Sequence, residues 1–128
     1  MGLCYQALEA IDTGAYEIAV SGKALRSTTS WLFNVANGFE ALYANTTGDY
    51  NIGSGYRSMY NNTTGNYNVR VGSLSLNANT TGNSNFAAGY QALYSNTTGS
   101  YNMGMGYQAL YANTTGEYNI SMGGKTLR

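Results

Sequence analysis

Proline and histidine are absent from this chain, cysteine occurs once, and charged side chains make up only 9% of its 128 residues. Each shortage removes a class of function. Without histidine the usual general base is missing, and so is a common zinc ligand. The six carboxylates are Glu9, Asp12, Glu17, Glu40, Asp49 and Glu117, and no two form a repeated pair that could do acid–base work or hold a metal. A non-enzymatic chain with no cofactor and no metal is expected. Cys4 cannot form an internal disulfide, which excludes a stapled mini-domain, and a small buried filler is its expected role. The formal net charge is zero, so no electrostatic footprint for nucleic acid or an acidic membrane exists. No apolar run approaches the roughly 20 residues needed to cross a bilayer, so membrane insertion is not expected. The first residues show neither a basic n-region nor an apolar h-region.

What the chain does have is 17 glycines, 13 tyrosines and a period. Seventeen-residue units begin at Cys4, Ser21, Gly38, Gly55, Gly72, Gly89 and Gly106, and a partial unit follows from Gly123. Such a period must be read before any secondary structure, because it dictates the architecture. Residues 1–37 hold degenerate N-terminal coils or a junction, and 38–128 a regular repeat array. In the second unit Trp31 and Leu32 fall on the turn, where an isolated array would expose them, so they are read as junction contacts. Repeat sequence starts almost at Met1 and stops in mid-unit at Arg128. That is expected of a fragment of a longer repeat protein, or of ends continued by another copy or domain.

Stacking the units in register shows what each position demands. Position 5 reads Leu8, Leu25, Leu42, Met59, Leu76, Leu93, Leu110, a core ladder. Position 15 reads Ile18, Val35, Ile52, Val69, Phe86, Met103, Ile120, expected to be a second core ladder. Position 4 is always small (Ala7, Ala24, Ala41, Ser58, Ser75, Ala92, Ala109), as where backbone approaches closely across a thin coil. A nearly fixed Asn-Thr-Thr-Gly ends at Gly48, Gly65, Gly82, Gly99 and Gly116. Asn and Thr bond local backbone and Gly supplies a left-handed conformation, so this tetrapeptide reads as a turn. With so much Asn, Thr, Gly and Tyr a helical repeat is disfavoured. The fold class is all-β: a parallel β-solenoid of seven 17-residue coils, each with two short strands plus loops.

In a solenoid every residue lies over its counterpart at about 4.8 Å, so seven coils make a rod of about 34 Å. Tyr43 then lies over Tyr60 and Tyr94 over Tyr111; Tyr50 over Tyr67 and Tyr101 over Tyr118 form a second rank. Asn51, Asn68, Asn85, Asn102 and Asn119 would form an amide ladder. Lys23, Glu40 and Arg57 alternate in sign on one column, Glu9 and Arg26 on another. So thin a rod exposes several tyrosine ranks, which is unusual for a monomer. The expectation is lateral association into a homotrimer or bundle. Packing or interface is the favoured use of these aromatics, and a host-surface glycan the other candidate partner.

The unit Gly-Tyr-Gln-Ala-Leu-Tyr-Ser/Ala-Asn-Thr-Thr-Gly-x-Tyr-Asn, at 89–102 and again at 106–119, resembles the repeats of bacterial and phage tail-fibre-like proteins. It is similar in style to the shorter Asn-x-x-Ala-Ile-Gly repeats of trimeric autotransporter adhesin heads. The resemblance implies a trimeric β-roll or β-solenoid at a bacterial cell surface or on a virion, serving as a fibre shaft or adhesive head. Three alternatives are carried beside it. A self-assembling filament could grow by end-to-end stacking. Ice binding would use the Thr46, Thr63, Thr80, Thr97 and Thr114 column, and N-glycosylation the Asn45, Asn62, Asn79, Asn96 and Asn113 triplets. Turn chemistry explains both threonines and triplets more simply.

Overall fold

The computed structural model describes residues 5–10, 16–29 and 33–127; Cys4, Trp31 and Leu32 lie outside them. Each period contributes one three-residue strand: β1 (Ile18–Val20), β2 (Val35–Asn37), β3 (Ile52–Ser54), β4 (Val69–Val71), β5 (Phe86–Ala88), β6 (Met103–Met105) and β7 (Ile120–Met122). They form a single parallel sheet in chain order, and every step of the register is 17 residues, as in Ile52 opposite Val69 and Val69 opposite Phe86. The fold is therefore a parallel β-solenoid, all-β among the described residues. The sheet runs without a break from β1 through β2 to β3.

One strand per coil, not two, is the first difference from expectation. Its cause lies in the backbone. In each regular coil the non-glycine residues at positions 3 and 5 have φ near +50°, for example Glu40 (55°) and Leu42 (52°), and so does Tyr50 at position 13 (55°). Left-handed residues cannot continue an extended strand, so only positions 15 to 17 remain to make one. The same conformation aims successive amides along the rod. Position 3 donates to the coil before (Arg57 N to Phe39 O, 2.9 Å) and position 5 to the coil after (Leu42 N to Ser58 O, 2.7 Å).

The glycines divide into two kinds. Gly38, Gly55, Gly72, Gly89, Gly106 and Gly123 have φ between +115° and +148°. Those closing Asn-Thr-Thr-Gly do not, which corrects the left-handed role assigned to them. They are required by proximity: a Cβ on Gly65 would sit 2.5 Å from Asn62 Oδ1 and 2.5 Å from Gly82 O.

Inside the rod Leu25, Leu42, Met59, Leu76 and Leu93 are wholly buried, with Leu110 nearly so and Leu8 partly buried against them. The second apolar column is corrected. Ile18, Ile52, Met103 and Ile120 are 48%, 43%, 37% and 66% exposed, and Val35, Val69 and Phe86 are half-buried. Alternate strand residues face opposite ways. Position 16 (Ala19, Ala36, Gly53, Arg70, Ala87, Gly104, Ser121) points in, so position 15 must point out. The second filling of the core is amide instead of hydrocarbon. Asn34, Asn51, Asn68, Asn85 and Asn102 are buried in one column and Asn45, Asn62, Asn79 and Asn96 in another.

Those amides satisfy one another. Asn62 Nδ2 donates to Asn45 Oδ1 (2.8 Å) and to Gly65 O (3.0 Å), and Asn79 Nδ2 donates in turn to Asn62 Oδ1 (2.8 Å). In the other column Asn68 N and Nδ2 both donate to Asn51 Oδ1 (3.0 and 3.1 Å), and Asn68 Nδ2 also reaches Gly82 O (2.9 Å). Buried polar groups are tolerated only when paired, and stacking identical coils pairs them automatically.

Candidate interaction surface

The chemistry this molecule offers is on its outside, and the outer positions of the strand set it. Within the strand positions 15 and 17 point outward, and the position-13 aromatics that precede them are themselves exposed, from Tyr16 to Tyr118. That rank is longer than the tyrosine spacing suggested. Tyr16 and Phe33 stack at 4.9 Å between ring centroids, Phe33 and Tyr50 at 4.9 Å, Tyr50 and Tyr67 at 5.1 Å, and, beyond Ser84, Tyr101 and Tyr118 at 5.0 Å. Interplanar angles of 3° to 8° make these parallel stacks.

The position-6 rank pairs Tyr43 with Tyr60 (5.0 Å) and Tyr94 with Tyr111 (5.3 Å), half-buried rings on another side of the coil. A third rank, at position 2, escaped the sequence reading: Phe39 lies over Tyr56 and Tyr90 over Tyr107. Its signal is the aromatic that follows the opening glycine at 39, 56, 90 and 107.

The expected charge alternation forms ion pairs. Glu40 takes Arg57 at 2.7 Å and Lys23 at 3.7 Å, and Glu9 takes Arg26 at 2.5 Å. Arg26 also donates to Tyr43 Oη (2.8 Å), and the bonds to Glu9 and then Tyr43 hold its guanidinium above its ordinary range. Among the described residues no three carboxylate, cysteine or histidine groups gather into a possible metal site, and no helix is long and apolar enough to cross a membrane.

Two minor readings meet structural objections. The Asn45, Asn62, Asn79 and Asn96 amides are inside the rod, each engaged in the ladder, so folded coils do not present them for glycosylation. Thr46, Thr63, Thr80 and Thr97 each donate their hydroxyl to the carbonyl of the threonine one coil on (3.1 Å). The exposed hydroxyl column is their neighbours Thr47, Thr64, Thr81 and Thr98.

Two ionisable groups sit where the repeat places neutral ones. Arg70 replaces the small inward residue of position 16 and is completely buried. Its Nε and Nη2 both donate to Ser75 Oγ (2.9 and 2.6 Å), Nη1 has no partner, and burial pulls the guanidinium down to about 9. Glu17 heads the position-14 amide column, accepting from Asn34 N (3.3 Å) and Nδ2 (3.1 Å). Burial pushes its carboxyl up to about 7.

No protein-family model, curated protein or solved structure matches the chain.

Proposed function

We propose that the chain is a non-enzymatic structural segment, a shaft or attachment region of a fibre or adhesin at a bacterial cell surface or on a virion, which assembles laterally as a homotrimer. The single observation carrying the assembly is the outer face of the sheet. Ile18, Ile52, Val71, Met103, Ile120 and Met122 expose between 37% and 68% of their surface along one flat strip. The exposed position-13 stacks stand two residues before it in the same coils. A continuous apolar strip of this kind on a soluble protein marks an interface. A straight rod with an apolar stripe buries it most simply against parallel copies about a shared axis. The fibre role rests on the resemblance of the repeat.

Light scattering coupled to size exclusion tests the assembly. The wild-type chain is expected to run at three times its mass of 13.7 kDa, and Ile52→Lys with Met103→Lys to run as a folded monomer. A wild-type chain that stays monomeric at millimolar concentration overturns it.

One observation favours a second reading, head-to-tail stacking into a filament. The last described coil presents a cleft lined by Leu110, Ala112, Asn113, Asn119 and Leu127, with both asparagines half-buried where a further coil would pair. Long rods in negative-stain electron microscopy support that reading against defined trimers.

A further inference from the structure

The coil spanning 72–88 lacks an aromatic in all three ranks at once: Ser73 stands at position 2, Asn77 at position 6 and Ser84 at position 13. The backbone does not change. Ser84 has φ 54°, against 56° for Tyr67 and 58° for Tyr101. Its amide donates to Asn66 O at 2.9 Å, just as Tyr67 donates to Asp49 O and Tyr101 to Asn83 O, both at 3.0 Å. The column therefore continues through this coil with only the ring missing. Tyr67 and Tyr101 are left facing each other across two strand spacings, about 10 Å, with the half-buried Ser84 as the floor.

We propose that this gap is a binding slot for one neutral, phenol-like aromatic ring. A ring entering it would lie about 5 Å from each tyrosine, the spacing that the chain uses throughout this rank and one within the range favourable for offset stacking. Tyr50, sandwiched by Phe33 and Tyr67, is 46% exposed, whereas Tyr67 and Tyr101, each stacked on one side only, are 60% and 53% exposed. No charged residue occurs in 72–105, so nothing here selects an ionic ligand. A rank from a second copy cannot serve as the ligand in register, since its rings come 5 Å apart and the neighbours would collide with Tyr67 or Tyr101. The ligand is a free ring, and the inference does not depend on the lateral assembly.

The probe is p-cresol, titrated into the full chain and into the Ile52→Lys, Met103→Lys monomer, with the ring protons of Tyr67 and Tyr101 followed by NMR. Saturable upfield shifts confined to those two rings are expected, with a dissociation constant on the order of 1 mM. Ser84→Tyr, which supplies the missing ring from the chain itself, should weaken binding at least tenfold, while Ser73→Tyr leaves it unchanged. Tyr101→Leu removes one wall and decides the matter if Ser84→Tyr does not fold: a loss of at least fivefold is expected. Binding by the monomer alone supports the slot and places it under a partner in the assembly. Absence of saturable shifts in both proteins overturns the proposal. So does p-cresol binding that Tyr101→Leu leaves intact, and so does a methyl hexoside occupying the slot where p-cresol does not.

Discussion

Arg70→Met should make this protein more stable, although it deletes two hydrogen bonds. The guanidinium is wholly buried and has only the Ser75 hydroxyl as a partner, which accepts from both Nε and Nη2 while its own proton reaches Gly72 O (3.3 Å). Burial lowers the group from the ordinary arginine range to about 9. At about 1.4 kcal/mol per tenfold change, that fall corresponds to about 5 kcal/mol opposing the charged form. Against it stand the bonds to Ser75, about 2 kcal/mol for donors from a charged group. Methionine follows the same unbranched path and keeps the packing of the stem. The difference is a gain of about 3 kcal/mol, in line with the effect of replacing buried charges by apolar groups, and a rise in Tm of about 10 °C for a chain of this size. Urea and thermal unfolding at pH 7 read it directly. The sign with pH is also fixed: because the folded state disfavours the proton, wild-type stability should climb as pH rises through about 9, and the Met variant should lack that climb. A midpoint for Arg70→Met below that of wild type would refute the reasoning, since it would mean that the guanidinium is compensated.

Asn62→Ala should cost about 4 kcal/mol in urea unfolding, because Asn45 Oδ1, Gly65 O and Asn79 Nδ2 lose a buried partner together; Asn113→Ala, half-buried at the last turn, should cost about 1 kcal/mol. Gly65→Ala should destabilise by about 3 kcal/mol through contact with Asn62 and Gly82, and equal thermal midpoints for variant and wild type would contradict this. Glu17 has a folded value of about 7 against 4.5, so the carboxylate is disfavoured in the fold. Stability around β1 and β2 should fall as pH rises from 4.5 to 7, by at most about 3 kcal/mol; the protection factor of the Ile18 amide, bonded to Asn34 O, should fall accordingly in wild type but not in Glu17→Gln, once the base catalysis of exchange is divided out.

The period made the architecture, the register, the leucine ladder, the tyrosine pairs and one asparagine ladder legible in advance, because in-register stacking turns sequence identity directly into contact. What it concealed was direction. Position 15 was apolar and therefore assigned to the core, yet Asn51 and Gly53, on either side of Ile52, are the inward residues. Had the amide ladder at position 14 been taken as interior, parity over the next two residues would have put Ile52 outside. Backbone sign was hidden as well. Leu42 and Tyr50 adopt left-handed conformations that these residue types ordinarily avoid, at about 1 to 2 kcal/mol each. Only the coil-to-coil hydrogen bonds that follow from them explain the choice. At the outer surface, Ser84 shows that an interruption of a column is as informative as its continuation.

The direction of the backbone bonds also decides how the rod would carry load. Outside the turns, bonds join one coil to the next and so lie along the long axis: Ile52 N to Asn68 O, Val69 N to Asn85 O, Phe86 N to Asn102 O. Tension applied between the ends pulls these bonds open and does not slide strands past one another, so resistance is limited to one coil interface at a time. Extension should proceed in discrete releases of 17 residues, each freeing about 55 Å of chain. Such a rod yields gradually under a pull and keeps its remaining coils intact.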